Sequence, residues 1–458
     1  DVHYRDSIRE PMNDFFRFQN KALISATPIV PEKDSRFDGF MRILIQPDYV
    51  YRQKLKLITT NNVLETLQEV IEAKRGTVCI FCNSIDSIDS FYRLIPELSN
   101  ACTFCSEDGQ YKLWKGNRRK KSMMITELER YNFFTSRFYS AVDILCKNPP
   151  HVIFVSDLYG AAQSVIDPAT EAIQIIGRFR GGVNSVTHIA SIRPELECMS
   201  SSEIDHWIQG ASTIFNGWKA QLTRTTNIGE RTLLQEAIGE NSYLPYLDEN
   251  GKPDSFLIAN FYEKEQVKRL YTSADLLHLA YEQTGYFVFS HEERLMPVSD
   301  NERMAIQHRL AKKKRAELIV RKREEMEKMS RATDKKIQKR YQRMLMNLIT
   351  STADRYIYDC FCRFGAKFVR EADYNENKLR TALNVSSEHT IKKSGQMRTY
   401  IQRAFPVGAE ISVQEAKSML RQVYKKMGLN TGRGITTKEL EQYAEIENSR
   451  NREARMIK

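Results

Sequence analysis

Two arginines that follow a glycine are the residues of this chain best suited to carry chemistry. They lie in the stretch Gln174-Ile175-Ile176-Gly177-Arg178-Phe179-Arg180, about 150 residues after Ser25-Ala26-Thr27-Pro28. Arginine binds phosphate oxygens through paired N–H donors and stays charged throughout the physiological pH range. Two such side chains at a strand–helix junction predict a site that stabilises the spread negative charge of a phosphoryl group in transfer.

Small polar residues follow apolar runs at two other points of the chain. The run Gly76–Phe81 leads into Cys82-Asn83-Ser84, and Phe133-Phe134 leads into Thr135–Asp143. Short apolar runs of this kind are typical of buried parallel strands. We therefore expect one parallel sheet flanked by helices, with the polar loops at the carboxyl ends of its strands.

In their order and spacing these segments resemble motifs III to VI of the superfamily 2 helicases, of the DEAD/DEAH-box type. Ser25 to Thr27 match motif III, and the other matches are Phe81 to Ser84, Thr135 to Asp143, and Gln174 to Arg180. The resemblance covers roughly residues 1 to 195. It implies an α/β fold in which a RecA-like parallel sheet forms the C-terminal helicase lobe.

The resemblance implies contacts to a nucleic-acid strand. Thr135 and Ser136 match the residues that hold the phosphates of the tracked strand, and Ser84 lies in the neighbouring motif. Ser25 and Thr27 match hydroxyl groups that couple the nucleotide site to strand separation.

The resemblance also implies a nucleotide site for ATP. Asp143 matches the carboxylate that meets the ribose and an arginine of motif VI, and Gly177 belongs to the same nucleotide-binding set. Gln174 and Arg178 match nucleotide-sensing groups, and Arg180 matches the arginine finger. The commonest family pattern differs at two positions, with an arginine where Gly181 stands and a glycine where Ala141 stands.

Two elements of the family pattern are missing from the sequence. No Gly-x-x-x-x-Gly-Lys-Ser/Thr occurs, and no Asp-Glu pair precedes Ser25. In the family these elements hold the phosphates and Mg²⁺. We expect the chain, which begins at Asp1 without a methionine, to be the C-terminal part of a longer protein. Its first lobe would hold most of the ATP and Mg²⁺, and the chain alone would hydrolyse no ATP.

Composition indicates a soluble protein of several parts. The 458 residues are 41% hydrophobic, enough for buried cores. No run approaches the ~18 apolar residues of a membrane span, and the charged start Asp1–Asp6 does not resemble a signal peptide. We expect a cytoplasmic protein with no membrane contact.

Four cysteines imitate the spacing of a zinc site. They are Cys79, Cys82, Cys102 and Cys105. Residues three apart in a strand point to opposite faces of the sheet, so neither pair can close around one ion. We therefore predict no metal site and expect buried, reduced cysteines.

Positive charge is concentrated between residues 302 and 343. This segment holds 16 Lys and Arg against 6 Asp and Glu, a balance of +10 in a chain whose net charge is +11. It contains no glycine or proline, which favours one long helix. A solvated connecting helix remains the alternative, but beside the motifs we expect nucleic-acid contacts, with DNA favoured. The predicted contact residues are Lys312, Lys313, Lys314, Arg315, Arg321 and Arg323.

We divide the chain into five regions. They are the end of the first motor lobe at 1–35, the second lobe at 36–195, a mostly helical accessory region at 196–300, the basic helix at 301–345 and a helical C-terminal module at 346–458. The tail around Glu415–Leu429 resembles replication helicases and primase-associated proteins of phages and plasmids. A packed helical cap is an equally good interpretation of the module.

These observations together predict a nucleic-acid helicase that couples ATP hydrolysis to translocation and strand separation, in replication. A double-stranded DNA translocase of the restriction type remains an alternative. So does a non-enzymatic nucleic-acid-binding protein with a degenerate motor lobe.

Overall fold

The chain forms two compact units, residues 1–308 and residues 309–458. Within the described residues, none of the helices combines the length and the apolar character needed to cross a bilayer. The computed structural model describes residues 11–28, 34–114, 120–125, 127–140, 142–248, 250–303, 311–330, 335–350, 354–429, 431, 434–448 and 454–457.

The first unit is built on an eight-stranded sheet in which every neighbouring pair of strands is parallel. The strand order is β4-β3-β5-β2-β6-β7-β1-β8. The predicted α/β fold with a parallel sheet is therefore confirmed. The strands are β1 (Gln53–Thr60), β2 (Val78–Phe81), β3 (Cys102–Phe104), β4 (Lys120–Ser122), β5 (Tyr131–Phe134), β6 (His151–Ser156), β7 (Ser185–Ser191) and β8 (Phe287–Arg294).

Helices cover the sheet, and several of them start at side-chain caps. Ser84 accepts a hydrogen bond from the backbone of Ser87, and Ser200 forms a capping box with Glu203. The helices of this unit are α1 (Met12–Arg17), α2 (Val63–Glu72), α3 (Ile85–Leu94), α4 (Glu107–Trp114), α5 (Glu171–Gly177), α6 (Ser201–Arg224), α7 (Ile228–Gly239), α8 (Ser255–Leu270) and α9 (Ala274–Gln283).

The two faces of the sheet carry separate hydrophobic cores. Cys79 and Cys102 pack in the core of one face, whereas Cys82 and Cys105 pack in the core of the other. This arrangement confirms the strand alternation that argued against a four-thiolate site. Among the described residues, no group of three or more His, Cys, Asp or Glu could hold a metal ion.

The accessory helices are joined to the sheet by a strand and by a buried polar chain. Strand β8 pairs with β1 along its whole length, so the boundary predicted at residue 195 falls inside the first unit. His188 Nδ1 lies 2.7 Å from Tyr281 Oη, and His188 Nε2 lies 3.1 Å from Ser156 Oγ. Ser156 Oγ donates to Tyr271 Oη at 3.1 Å. Complete burial lowers the pKa of His188 to about 3, so the ring is neutral.

The second unit is mostly helical and ends in a small three-stranded antiparallel sheet of order β10-β11-β9. One hydrophobic core is shared by four of its elements, which are the helix Gly395–Ala404, the strand Glu410–Ser412, the helix Val413–Lys426 and a short 3-10 helix at Thr437–Gln442. Its elements are α10 (Lys312–Ser330), α11 (Lys335–Thr350), α12 (Arg355–Glu371), α13 (Glu376–Lys392), α14 (Gly395–Ala404), β9 (Glu410–Ser412), α15 (Val413–Lys426), β10 (Ile446–Asn448) and β11 (Ala454–Ile457).

The basic segment does not form the single long helix that we predicted. Its described residues form α10 and α11, which pack against each other and against α12. The side chains of Ala316, Ile319, Val320 and Met326 are buried. These apolar positions therefore form the packed side of α10. Residues 304–310 and 331–334 of the predicted helix lie outside the described residues.

Candidate functional site

The structure brings motif residues from distant parts of the first unit together. Gln174 Nε2, on α5, donates a hydrogen bond to Thr27 Oγ1 at 2.6 Å across 147 residues of sequence. Thr27 is buried, and its backbone N–H is bound by Ser25 Oγ at 3.1 Å while Ser25 itself is exposed. Ser25 and Thr27, which we predicted to couple the nucleotide site to strand separation, are thus linked by hydrogen bonds to Gln174 of the segment that also carries Arg178 and Arg180.

A second contact joins the other two motifs. Arg180 Nε donates to Asp143 Oδ1 at 3.0 Å, and both side chains are about half or more exposed, at 63% and 49%. The backbone N–H of Ile144 bonds to the carbonyl of Arg178 at 2.9 Å, which fixes the loop beside the helix end. Asp143 therefore holds the guanidinium group in place while leaving it open to solvent.

The side chain of Arg178 is less exposed to solvent than that of Arg180. Its Nε donates to the carbonyl oxygen of Gln174 at 3.0 Å, so the side chain folds back over the last turn of α5. Burial, with a smaller contribution from Arg180, lowers the pKa of Arg178 from its ordinary value. A guanidinium group remains charged under such a shift. Gly177, the last residue of α5, is exposed, and a Cβ there would meet nothing within 4 Å.

The residues predicted to contact a strand differ in their accessibility. Ser84 is buried, and its hydroxyl caps α3. Thr135 is buried, and its backbone N–H bonds to the carbonyl of Phe104 at 3.1 Å. Ser136 is exposed and lies on the wall of an open groove. Only Ser136 of these three presents its side chain freely to a ligand, and Ala141 of the same motif lies outside the described residues.

The groove measures about 1290 Å³ and runs along the motif residues. One wall carries Ser136, Arg137, Asp143 and Gln174, and the other comes from α8 and the turn before it. Sequence reasoning assigned no functional residue to this second wall. Its lining side chains include Tyr246, Phe261, Lys264 and Lys268.

Aromatic packing fixes the second wall of the groove. The rings of Tyr246 and Phe261 lie 5.1 Å apart between centroids, and Trp207 packs edge-on against both at 5.6 and 5.4 Å. Such edge-to-face contacts hold aromatic rings in defined positions. The only sequence signal was the aromatic content of residues 207–261, which no motif marked as part of a site.

An acidic pair lies at the start of α5 in the groove. Glu171 Oε2 accepts a hydrogen bond from the backbone N–H of Asp167 at 3.0 Å, and Thr170 Oγ1 donates to Asp167 Oδ2 at 2.5 Å. Enclosure raises the pKa of Glu171 to about 8, and nearby Asp167 and Glu263 add to the rise while the backbone hydrogen bond opposes it. Glu171 is therefore largely protonated near neutral pH, which reduces the negative charge facing the groove.

Asp157 is a buried carboxylate at the same edge of the sheet that the motif comparison did not assign. It directly follows β6, accepts from Ser87 Oγ at 2.9 Å and from the backbone N–H of Gly160 at 3.0 Å. A Cβ at residue 160 would lie 2.3 Å from its Oδ2, so only glycine fits there. These bonds satisfy Asp157 internally, so it supports the loop rather than facing the groove.

The cations predicted to bind nucleic acid on α10 are mostly engaged within the second unit. Lys312 pairs with Glu376, Lys313 Nζ lies 2.7 Å from Asp373 Oδ1, and Arg315 Nε lies 2.6 Å from the buried Asp354. The others with ion pairs are Arg321 with Glu325 and Arg323 with Glu327. Lys314 is exposed. Most of the charge that the sequence suggested for phosphate binding is therefore neutralised locally.

Comparison of the chain with protein-family models, with curated protein sequences and with solved structures finds no match.

Proposed function

We propose that the first unit is the C-terminal, RecA-like lobe of an ATP-dependent nucleic-acid helicase. The observation that carries the proposal is the pairing of the four motif residues, Thr27 with Gln174 and Asp143 with Arg180, beside the groove that Asp143 and Gln174 line together with Asn83 and Ser136. Asn83 and Ser136 follow the carboxyl ends of β2 and β5, the edge at which ligands of open parallel sheets bind. The assignment of ATP hydrolysis comes from the motif resemblance. The two contacts support it because they bring the motif residues close enough to act in one site.

The chemistry assigned to this chain is charge stabilisation. Arg180 is positioned by one carboxylate and exposed on its other side, so its terminal nitrogens are free to meet phosphoryl oxygens. Arg178 adds a second fixed positive charge two positions before Arg180. Phe179, which lies between the two arginines, is buried and anchors them both. The sequence contains no Gly-x-x-x-x-Gly-Lys-Ser/Thr loop, so the proposal assigns to the described residues the stabilisation of phosphoryl charge and no metal ligand.

The groove beside the arginines takes the tracked strand. Ser136 and Arg137 donate to phosphates from the motor side, and Lys264 does so from α8, where the neighbouring Lys268 is paired with Glu265. Opening and closing of the two lobes in each nucleotide cycle moves this wall along the strand. The protein then couples ATP hydrolysis to translocation and unwinding, with DNA the favoured substrate.

The test is ATP turnover by the native protein that contains these residues, measured with and without single-stranded nucleic acid. Replacing an arginine finger costs about 10³ to 10⁵ in turnover, so Arg180→Ala is expected to reduce kcat by at least about 10³-fold with a smaller change in ATP affinity. Arg93→Ala is the matched control, because Arg93 is as exposed, at 64%, and also pairs with one aspartate, Asp89. Equal turnover in the Arg180 and Arg93 variants would refute the finger assignment.

Strand displacement separates a helicase from its alternatives. Turnover with unwinding of a forked duplex is the expected result. Turnover that is stimulated by duplex DNA without strand separation would identify a double-stranded DNA translocase. Nucleic-acid binding without any turnover would identify a non-enzymatic binding protein.

A further inference from the structure

Helix α15 carries a row of cations that the motor lobe does not explain. Lys417, Arg421 and Lys425 occur at four-residue spacing, which places them on one side of the helix. Arg421 and Lys425 are exposed and Lys417 is partly exposed. Each lies one residue after a buried core position, Ala416, Leu420 or Tyr424. The row, which we call the α15 stripe, therefore borders the packed face of a helix held firmly in its core.

The α15 stripe differs from the basic run on α10 in its partners. Among the described residues, none of the three stripe side chains makes an ion pair or a hydrogen bond, whereas Lys312, Lys313, Arg315, Arg321 and Arg323 all pair with carboxylates. A paired cation must give up its partner before it binds a phosphate. The stripe residues lose no partner when they bind a phosphate, although the α10 run contains more lysines and arginines.

Charge within the C-terminal body is separated along the chain. Residues 395–426 contain six Lys and Arg against two Asp and Glu, and residues 437–447 contain four glutamates against one lysine. Glu439, in the acidic part, is already bound by Lys392 Nζ and Tyr424 Oη. Residues 395–426 therefore carry a net charge of +4, and Glu439 of the acidic part contacts α15 through the buried Tyr424, away from the stripe residues.

We propose that the α15 stripe is a binding surface for the phosphate backbone of double-stranded nucleic acid. Three charges at four-residue spacing extend over about 12 Å of helix, which spans roughly three or four phosphates of one duplex strand. Sites for single strands combine cations with exposed aromatic rings that stack on bases. The tyrosine of α15, Tyr424, is buried, so the stripe can contact backbone alone. This surface does not depend on the proposed motor function.

The salt dependence of binding gives the expected size of the effect. Each phosphate contact contributes about −0.9 to the slope of log K against log salt concentration. Three contacts contribute about −2.7, so between about 50 and 200 mM salt they account for a roughly 40-fold fall in affinity. Removing the stripe should lower affinity at low salt and remove this part of the salt dependence.

The experiment measures binding of the full chain to a labelled DNA duplex of random sequence, and to an RNA duplex, by fluorescence anisotropy without nucleotide. The test variant is Lys417→Gln/Arg421→Gln/Lys425→Gln. The control variant Lys54→Gln/Arg224→Gln/Lys252→Gln removes the same charge from exposed, scattered positions of the first unit. A second control, Lys417→Arg/Arg421→Lys/Lys425→Arg, keeps the charge and reports any effect of the substitutions on folding.

We expect the slope of log K against log salt concentration to become less negative by about 2.7 in the test variant only. The charge-keeping variant should bind as the wild type does. Equal binding by the test and scattered variants, or no duplex binding at low salt, would overturn the proposal. Stronger binding to one duplex type distinguishes DNA from RNA. Because no ATP is present, failure here leaves the helicase proposal unaffected, and failure of that proposal leaves this one unaffected.

Discussion

The hydrogen bond between Gln174 and Thr27 offers the sharpest test of how the site is assembled. Thr27→Val removes the hydroxyl group and keeps the branched shape. Gln174→Leu removes the donor. Thr27 is 8% exposed and Gln174 is partly exposed, so solvent can reach the amide but hardly the hydroxyl. A neutral hydrogen bond contributes a net ~0.5–1.5 kcal/mol, and we expect a coupling energy of about 1 kcal/mol between the two positions.

The assay is a double-mutant cycle from urea unfolding followed by tryptophan fluorescence. All three tryptophans, Trp114, Trp207 and Trp218, lie in the first unit, so the signal reports the unit that contains the bond. Two-state unfolding of that unit is checked by the agreement of this signal with circular dichroism.

A matched cycle controls for indirect effects. Thr213 is exposed on α6, and its hydroxyl bonds to the carbonyl of Gln209 in the same helix. Thr213→Val combined with Gln174→Leu should show no coupling, because the two positions share no partner. A coupling energy below about 0.3 kcal/mol for Thr27 with Gln174 would refute the contact, and with it the joining of motif III to motif VI.

Three further predictions follow from other contacts. Asp143→Asn should reduce ATP turnover in the native protein while changing stability by less than about 0.5 kcal/mol, because its ion pair is exposed; a large fall in melting temperature would contradict this. Because of His188, the free energy of unfolding should fall by about 3 kcal/mol between pH 7 and pH 4. The pKa of His188 in the folded protein, about 3, lies below its value in the unfolded chain, so the unfolded state takes up the proton first. His188→Gln should remove that part of the pH dependence in urea unfolding, and an unchanged profile would contradict it. Arg315→Met should destabilise the second unit by about 2–3 kcal/mol by leaving the carboxylate of Asp354 buried and unpaired, whereas Lys312→Met, at an exposed pair, should change its thermal melting little.

The sheet could be predicted because its signal is local. Apolar runs such as Val78–Phe81 and His151–Ser156 have the length and β-branched or aromatic content of buried parallel strands. Strand alternation also placed Cys79 and Cys82 on opposite faces. Strand β8 was missed because five of its eight residues are polar and four are exposed, as expected for an edge strand that packs on one side only.

The contacts of the site could be predicted only in part. The family resemblance implied that Asp143 meets an arginine of motif VI without saying which one, and in the structure that arginine is Arg180. The second wall of the groove depends on how α8 packs beside α5, which no local pattern in Phe261 or Lys264 encodes. The basic run was misleading for a similar reason, because the carboxylates of Asp373 and Glu376 that neutralise it lie about 60 residues further along the chain.

The proposed helicase chemistry requires that Arg180 faces a transferring phosphoryl group. A crystal structure of the native protein with ADP, Mg²⁺ and an aluminium fluoride mimic of that group would show this contact directly. We expect the guanidinium group of Arg180 to lie about 3 Å from the mimic. A structure in which Arg180 stays paired only with Asp143, with the nucleotide bound away from α5, would contradict it.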